Sequence, residues 1–374
     1  MLLRAGVLGR GHRDDRRVTA ILRGLTRGER IGLAAVALLT VLAGVARLAA
    51  GTPHVLAFVL AGLALAGGAW VVSFSTEQVG QRYGPAVTGL LQSTLGNLPE
   101  FFVVVFALNA GERVVAQTAI VGSILVNALL VLGLVIIAGA RRAPDGIMRF
   151  SPRLPNDAAT LLFISTFIIL LVGLASLAHD SASHHIRTIS IVGAVAILAV
   201  YGFWTRQYLT TEQATDEPTS PARLSTRDAV ALLVVSGLAA GFVSDWFVDA
   251  LAPTISTLHI SRSFAGLVIV ATAGNAVEHV VGIVLAHKGQ SELGISVVKN
   301  SVAQVASFLF PLLVLVSLLT STTLTFGLAP VYTGALFGTA VIVFQITGDG
   351  EATAFEGAAL IAGFVILATV AAFE

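Results

Sequence analysis

A short polar motif occurs twice inside strongly apolar stretches of the chain. The segments GNLPE at 96–100 and GNAVE at 274–278 share the pattern Gly-Asn-X-X-Glu and lie 178 residues apart. An Asn and a Glu three residues apart lie on one face of a helix, so the two motifs together offer two carboxylates and two amide oxygens. Such an all-oxygen set suits a hard cation such as Ca²⁺, and the chain has no cysteine for a soft metal. The candidate cation ligands are Glu100, Glu278, Asn97 and Asn275.

More polar side chains follow each motif, in the next apolar stretch. A serine stands 23 residues after each glutamate. We expect the walls of the same site to include Ser123, Asn127, Ser301 and Gln304. Structural roles are the alternatives: the glutamates could be a hydrogen-bonded pair that locks helices, the asparagines could link helices, and the serines could be small packing residues.

The same carboxylates would couple cation binding to protons. A bare carboxylate is disfavoured in a medium of low dielectric constant, so two neighbouring glutamates must be neutralised by one divalent cation or by about two protons. Competition between the two kinds of ion is by itself an exchange mechanism. His279, directly after Glu278, would influence this protonation or relay protons; the alternative is a packing histidine.

The amino-acid composition indicates the environment of these polar side chains. The chain has 374 residues, of which 56% are hydrophobic and 11% charged, and its mean hydropathy is +0.89. Soluble proteins carry about 25% charged residues. The composition excludes an ordinary soluble enzyme and a disordered protein, and the net charge of +1 argues against a nucleic-acid partner. The expected partner is the lipid bilayer.

Hydropathy predicts an all-α polytopic membrane protein with about eleven transmembrane helices, because a helix of about 20 apolar residues spans a bilayer and satisfies its own backbone. Glu100 and Glu278 lie roughly 21 and 22 Å from the starts of the third and eighth spans, and an ionisable residue at such depth is a functional hypothesis. The predicted spans are 31–49, 54–75, 86–110, 114–139, 156–178, 186–205, 228–250, 263–287, 293–318, 324–346 and 354–372.

The spans divide into one peripheral helix and two five-helix halves. Residues 96–123 align with 274–301 without a gap. Because five is an odd number, the two halves enter the membrane in opposite orientations, an architecture that places a substrate site near the midplane. The two glutamates can then face each other. The predicted divisions are a basic cytoplasmic arm (1–30), a peripheral first helix (31–49), a first repeat (50–205), a cytoplasmic linker (206–227) and a second repeat (228–374).

Lysine and arginine are more frequent in the loops on one side of the predicted membrane. This side includes the N-terminal arm and the loop around Arg141 and Arg142, so the bias predicts a cytoplasmic N-terminus and an external C-terminus. The N-terminal segment shows no convincing cleavage site. We expect a multi-pass protein of the cell membrane, not of an organelle.

Several segments resemble the signature repeats of the calcium/cation–proton exchanger family, part of the cation/calcium exchanger superfamily. They are GNLPEFF at 96–102, VGSILVNALLVLG at 121–133 and GNAVEHVVGIVLAHKGQSELG at 274–294, joined by QVASFLFP at 304–311 and GDGEATAFEGA at 348–358. The resemblance covers about 50–374. It implies five-plus-five inverted repeats and alternating access driven by a proton gradient. It also implies ion binding by the two glutamates, with Asn97, Asn275, Ser123 and Gln304 as partners.

The ninth span departs from the family pattern. Where Gly-Ser-Ser is usual, the chain has Asn300-Ser301-Val302, preceded by Lys299. Lys299 is a candidate modulator, since an ammonium group facing the site would repel Ca²⁺. We expect it instead to extend towards the cytoplasmic interface or to pair with an acid there; an altered ion preference is the alternative.

These patterns predict a secondary active antiporter, not an enzyme, that exchanges cytoplasmic Ca²⁺ for protons at a midplane two-glutamate site. Mn²⁺, Na⁺ or K⁺ are alternative cargoes. No resident cofactor is expected, and a homo-oligomer is an open possibility. The alternative functions are an Na⁺/Ca²⁺ or Na⁺(K⁺)/H⁺ exchanger and, less favoured, an intramembrane hydrolase or a cation channel.

Overall fold

The protein is a bundle of long apolar helices. The computed structural model describes residues 24–80, 95–151, 153–212 and 223–374. In chain order the elements are α1 (Arg27–Leu48), α2 (His54–Gly80), α3 (Leu98–Asn109), α4 (Arg113–Arg142), β1 (Ile147–Arg149), α5 (Arg153–Leu177), α6 (Ile186–Glu212), α7 (Thr226–Leu258), α8 (Arg262–Gly274), α9 (Ala276–His287), α10 (Ser291–Leu319), α11 (Pro330–Thr347), β2 (Glu351–Thr353) and α12 (Ala354–Phe373).

Nine of the described helices are long and apolar enough to cross a membrane, and the count is ten if α8 and α9, which meet at an angle of 63°, form one bent span. The short apolar helix α3 is preceded by residues 81–94, which lie outside the described part of the chain. The all-α membrane architecture is therefore confirmed. The number eleven stays a prediction.

Several predicted boundaries differ from the structure. Helix α7 continues to Leu258, past the predicted end at 250. The eighth span is not one helix, because it breaks at Asn275 between α8 and α9. Helix α6 continues to Glu212, past the predicted end at 205. Helix α11 begins at Pro330, not at 324, because proline favours the first turn of a helix and disfavours its interior.

The internal repeat recurs in the backbone with the same offset of 178 residues. Helices α3 and α9 are both 12 residues long and begin at equivalent positions. Each ends in a tight turn, where Gly111 and Gly289 have φ values of +79° and +83°, a conformation that glycine adopts without strain. The two halves therefore share the same arrangement of half-helix and turn.

The two halves are interleaved, not side by side. Helix α7 packs against α2 and α3, α4 packs against α8 and α12, and α5 packs against α10 and α11. At the crossing of α4 and α8 the backbones touch: a Cβ atom on Gly122 would lie 2.3 Å from the Leu267 carbonyl oxygen, and one on Gly266 would lie 2.0 Å from Thr118 Oγ1. Only glycine permits this approach, which is typical of helices packed in a membrane.

Helix α1 lies at the edge of the bundle. Ala43 is its buried residue, and its contacts are with α2 and α7. Arg223 Nη2, just before α7, donates to Glu29 Oε1 at 2.6 Å, and Arg47 forms an ion pair with Asp249 of α7. Helix α1 is therefore attached to α7 at both of its ends.

Contacts between loops follow the predicted alternation across the membrane. Strands β1 and β2 pair antiparallel and join the loop after α4 to the loop after α11. Arg149 bridges Asp145 (2.6 Å) and Glu351 (3.1 Å). The Arg149 guanidinium holds the pKa of Asp145 below its usual value. At the other face, Arg262, the first residue of α8, pairs with Glu112 after α3 at 3.2 Å.

Candidate cation site

The two glutamates stand at matching places in two half-helices. Helices α3 and α9 begin directly after Asn97 and Asn275, and Glu100 and Glu278 are the third residue of each. The helix is interrupted at both asparagines, which have ψ values of 6° and 12°. Pro99 in the first turn of α3 suits this start. The repeated motif is therefore a helix break followed by a carboxylate.

Each half places its break against the glutamate of the other half. A Cβ atom on Gly96 would lie 3.8 Å from Glu278 Oε1, and one on Gly274 would lie 3.6 Å from Glu100 Cβ. A small cavity lies here, lined by Ala69 and Ser73 of α2 together with Gly96, Gly274, Asn275 and Glu278. The structure thus brings both motifs together at one place.

The side chain of Glu100 is buried, and the Oε2 atom of Glu278 is buried although the residue as a whole is partly exposed. Among the described residues, Glu100 Oε1 and Oε2 and Glu278 Oε2 have no hydrogen-bond partner. The Glu100 carboxyl lies near Ser123, Asn275 and the Glu278 carboxyl, and Glu278 lies near Ser301. Buried polar atoms are normally hydrogen-bonded. Acceptors gathered in this way can receive a cation or protons.

A hydrogen-bonded layer supports the glutamates. Asn275 Nδ2 donates to Ser123 Oγ and, at 3.1 Å, to the Ala271 carbonyl oxygen. Asn127 Nδ2 donates to Ser301 Oγ at 3.2 Å. Both side-chain pairs connect the first half of the chain with the second. Ser123, Ser301, Asn127 and Asn275 therefore lie close together near the two glutamates, and their part in cation binding stays a prediction.

Three other predicted residues, Asn97, Gln304 and His279, also lie in the interior. Asn97 is buried at the start of α3. Gln304 is also buried, and lies near Tyr201 of α6. The ring of His279 is buried, and its Nε2 atom has no hydrogen-bond partner among the described residues. Their proposed parts in binding or proton transfer stay predictions.

The position of the Lys299 side chain differs from the prediction. Its side chain is 2% exposed, and its Nζ atom has no hydrogen-bond partner in the described part of the chain. The expectation that it reaches the interface or pairs with an acid is therefore wrong. The reason is its place among buried residues of α10, which include Val298 and Val302.

The residues that the sequence analysis missed are Ala69 and Ser73 of α2. They are four residues apart and therefore share a helix face, and both line the cavity. Small residues at this spacing also occur wherever helices pack closely, so the pattern does not distinguish a binding wall from a packing surface. No cluster of three or more His, Cys, Asp or Glu side chains suited to a metal occurs within the described ranges.

Comparison with known proteins places the chain in a family. It belongs to the sodium/calcium exchanger protein family, which it matches over residues 53–206 and 229–373. It is similar to the vacuolar calcium ion transporter of Schizosaccharomyces pombe, with 33% identity over 321 residues that cover 83% of this chain and 77% of the relative. It is 27% identical to the Ca²⁺/H⁺ antiporter ChaA of Bacillus subtilis, over 79% of this chain and 85% of that protein.

Solved structures share the fold. The structure of native YfkE aligns with a TM-score of 0.74 at 24% identity, covering 92% of this chain and 99% of YfkE. The H⁺/Ca²⁺ exchanger CAX aligns with a TM-score of 0.74 at 16% identity, covering 93% of each chain. The resemblance drawn from the signature repeats is confirmed.

Proposed function

We propose that this protein is a secondary active antiporter that exchanges Ca²⁺ for protons by alternating access. The observation that carries the proposal is the pair of buried carboxylates, Glu100 and Glu278, one from each half of the chain and both without donors that neutralise them. The relatives that are named as Ca²⁺/H⁺ antiporters support the same assignment.

The chemistry follows from the cost of burying charge. An isolated ionised carboxylate is strongly disfavoured in an apolar medium, and two close together also repel each other. One divalent cation neutralises both carboxylates, and so do two protons. The site is therefore stable when it binds Ca²⁺ or protons, and its free energy is high when both carboxylates are ionised and unoccupied. Because the empty site is disfavoured, Ca²⁺ leaves when protons bind and protons leave when Ca²⁺ binds, which couples the two fluxes.

The side chains around the site supply oxygen atoms. Ser123 and Ser301 add hydroxyl oxygens beside the two carboxylates, and Asn275 brings an amide group. Ca²⁺ takes six to eight oxygen ligands in flexible arrangements, so backbone carbonyls at the helix breaks or water would complete the set. No residue here requires a second, resident metal, and the Ca²⁺ ion is cargo.

The two glutamates differ in their position relative to the small cavity. Glu278 lines the cavity and Glu100 lies deeper, with Gly274 packed on it. We infer that access to the site is open on the side of α9 and closed on the side of α3, as alternating access requires of one of its two states.

The proposed topology puts the N-terminus in the cytoplasm and the C-terminus outside. The charge bias of the loops supports it, since Arg141, Arg142 and Lys288 fall on the predicted cytoplasmic side together with the arginine-rich N-terminal segment. In this orientation the open side faces the cytoplasm, from which Ca²⁺ would be taken for export. A homo-oligomer in the membrane stays a prediction.

Proteoliposomes with imposed gradients test the function. An acid interior should drive ⁴⁵Ca²⁺ uptake, and collapsing the proton gradient with a protonophore should stop it. Uptake driven equally well by an outward Na⁺ gradient at constant pH would favour the Na⁺/Ca²⁺ alternative. Ca²⁺ flux that needs no counter-gradient would favour a channel and contradict the proposal.

A further inference from the structure

We propose that the paired ends of α4 and α9 bind the phosphate of an anionic phospholipid. This basic patch consists of Arg141 and Arg142 at the end of α4, with His287 and Lys288 at the end of α9. All four side chains are exposed. The proposal concerns the membrane face at which these two helices end and does not depend on which cation is transported.

The two helix ends lie side by side. A Cβ atom on Gly282 would lie 3.3 Å from Val135 Cγ2, and one on Gly289 would lie 3.9 Å from Arg142 Cγ. The contacts advance by seven residues in both helices, so α4 and α9 run parallel and end together. The Arg142 side chain consequently passes beside the turn that contains Lys288.

Nearby acids are engaged elsewhere. Asp145 and Glu351 are bound by Arg149 at 2.6 and 3.1 Å. Glu292 accepts a hydrogen bond from the Ser151 backbone amide at 2.7 Å. Within the described residues, no ion pair involves Arg141, Arg142, His287 or Lys288. The patch is therefore available to an anion from outside the chain.

The inverted repeat provides an internal comparison. The offset of 178 residues relates His287 and Lys288 to Asn109 and Ala110, and Arg141 and Arg142 to Leu319 and Thr320. Helices α3 and α9 end in the same kind of glycine turn, so this helix ending does not require basic residues. The equivalent ends of α3 and α10 carry no basic residue at these positions, so helix capping does not account for the positive charge of the patch.

An apolar surface continues from the patch into the membrane. Val280 and Val284 of α9 are 61% and 41% exposed, and Leu134 of α4 is 37% exposed. Val280, Val284 and Lys288 follow at intervals of four residues on one face of the helix. A basic site above an apolar surface suits a phospholipid, which offers a phosphate and acyl chains together, better than free phosphate. Anionic lipids also attract basic segments at the cytoplasmic leaflet.

Native mass spectrometry of the purified full-length protein tests the proposal, with phosphatidylglycerol and phosphatidylcholine titrated separately. We expect the wild type to bind phosphatidylglycerol at least tenfold more tightly than phosphatidylcholine. The variant Arg142→Gln/Lys288→Gln should lose most of this preference. The control Arg113→Gln/Arg187→Gln, which removes two exposed charges at the starts of α4 and α6, should keep it.

Three outcomes would overturn the proposal. They are equal lipid preference in the wild type, equal loss in both double variants, and complete displacement of phosphatidylglycerol by millimolar inorganic phosphate, which would indicate a site for free anions. Size-exclusion chromatography in detergent checks that the variants are folded. Transport activity is not the readout, so a failure here leaves the antiporter assignment untouched, and the reverse also holds.

Discussion

Glu100 and Glu278 experience two opposing electrostatic influences. The apolar interior disfavours their ionised forms. Each is also the third residue of a half-helix, where the positive end of the helix dipole favours a negative charge by up to about 2 kcal/mol in partly buried settings. The helix breaks therefore reduce the cost of an ionised carboxylate at this depth. A site with these properties can release protons when a cation arrives.

Removing either carboxyl charge should abolish exchange. Glu100→Gln or Glu278→Gln leaves a single carboxylate, which cannot neutralise a divalent cation or carry two protons. We expect ⁴⁵Ca²⁺ uptake into acid-loaded vesicles to fall to background for each variant while membrane insertion is unchanged. Asp180→Asn, at an exposed turn before α6, is the control. Normal uptake by either glutamine variant would contradict the assignment.

Asn275 should affect cation affinity more than folding. Its amide holds Ser123 and the end of α8 in place, and side chains that orient metal ligands typically contribute about 10–100-fold to affinity. Asn275→Ala should therefore raise the apparent KM for Ca²⁺ by roughly tenfold or more. Asn156→Ala, outside the site on α5, provides the comparison. Equal effects of the two substitutions would indicate a general packing defect.

The buried ammonium group of Lys299 should lower the thermal stability of the protein. A buried ammonium group without an acid partner is unfavourable, and Met has a similar length without the charge. We expect Lys299→Met to insert normally and to raise the apparent Tm in a fluorescence-detected thermal assay. Lys288→Met, at an exposed position, should leave the Tm unchanged. A lower Tm for Lys299→Met would show that the ammonium group has a stabilising partner.

At the residue scale, Glu100 and Glu278 could be singled out because an ionisable group inside an apolar span has few structural explanations; their part in cation binding stays a prediction. The interior position of Lys299 could not be predicted from the sequence. Hydropathy gives the depth of a residue along a helix but not the neighbour that its side chain faces, which depends on how helices from distant parts of the chain pack.

At the scale of elements, the repeat predicted from residues 96–123 and 274–301 is present as two identical half-helices and turns. The angle of 63° between α8 and α9 could only be suspected from Gly274. Windows of average hydropathy also placed the start of α11 too early, because the Thr-rich segment before Pro330 is apolar enough to resemble a helix. Hydropathy reports burial in lipid and not backbone conformation.

At the crossing of α4 and α8, position 122 should not accommodate a side chain. A Cβ atom on Gly122 would lie 2.3 Å from a carbonyl oxygen of the rigid backbone, and overpacking costs about 1–3 kcal/mol. We expect Gly122→Ala to lower the thermal unfolding temperature by several degrees. Gly334→Ala, where a Cβ atom would meet nothing within 4 Å, is the matched control. Equal temperatures for both variants would contradict this packing.

At the scale of the whole molecule, the strand pair β1–β2 fastens the fourth and eleventh helices at one face. Arg149 lowers the pKa of Asp145, so their ion pair persists above the usual pKa of an aspartate, about 3.9, and is lost only as the pH falls through the lowered value. We expect amide exchange in β1 and β2, corrected for the intrinsic rate, to be equally slow at pH 7 and pH 5.

The variant Arg149→Ala should speed this exchange at both pH values, because both acids then lose their partner. Arg206→Ala, at an exposed position of α6, should have no effect on these strands. Protection that survives Arg149→Ala would show that the backbone pairing alone holds the two loops together.

The cross-placement of Gly96 on Glu278 and of Gly274 on Glu100 has a consequence for genetics. Neither half of the polypeptide contains a complete ion-binding site, so neither half should transport ions by itself. If the gene were cut within the linker codons and the pieces (residues 1–217 and 218–374) were produced together in one cell, reassociation in the lipid phase should restore calcium tolerance. Either fragment expressed alone should give none.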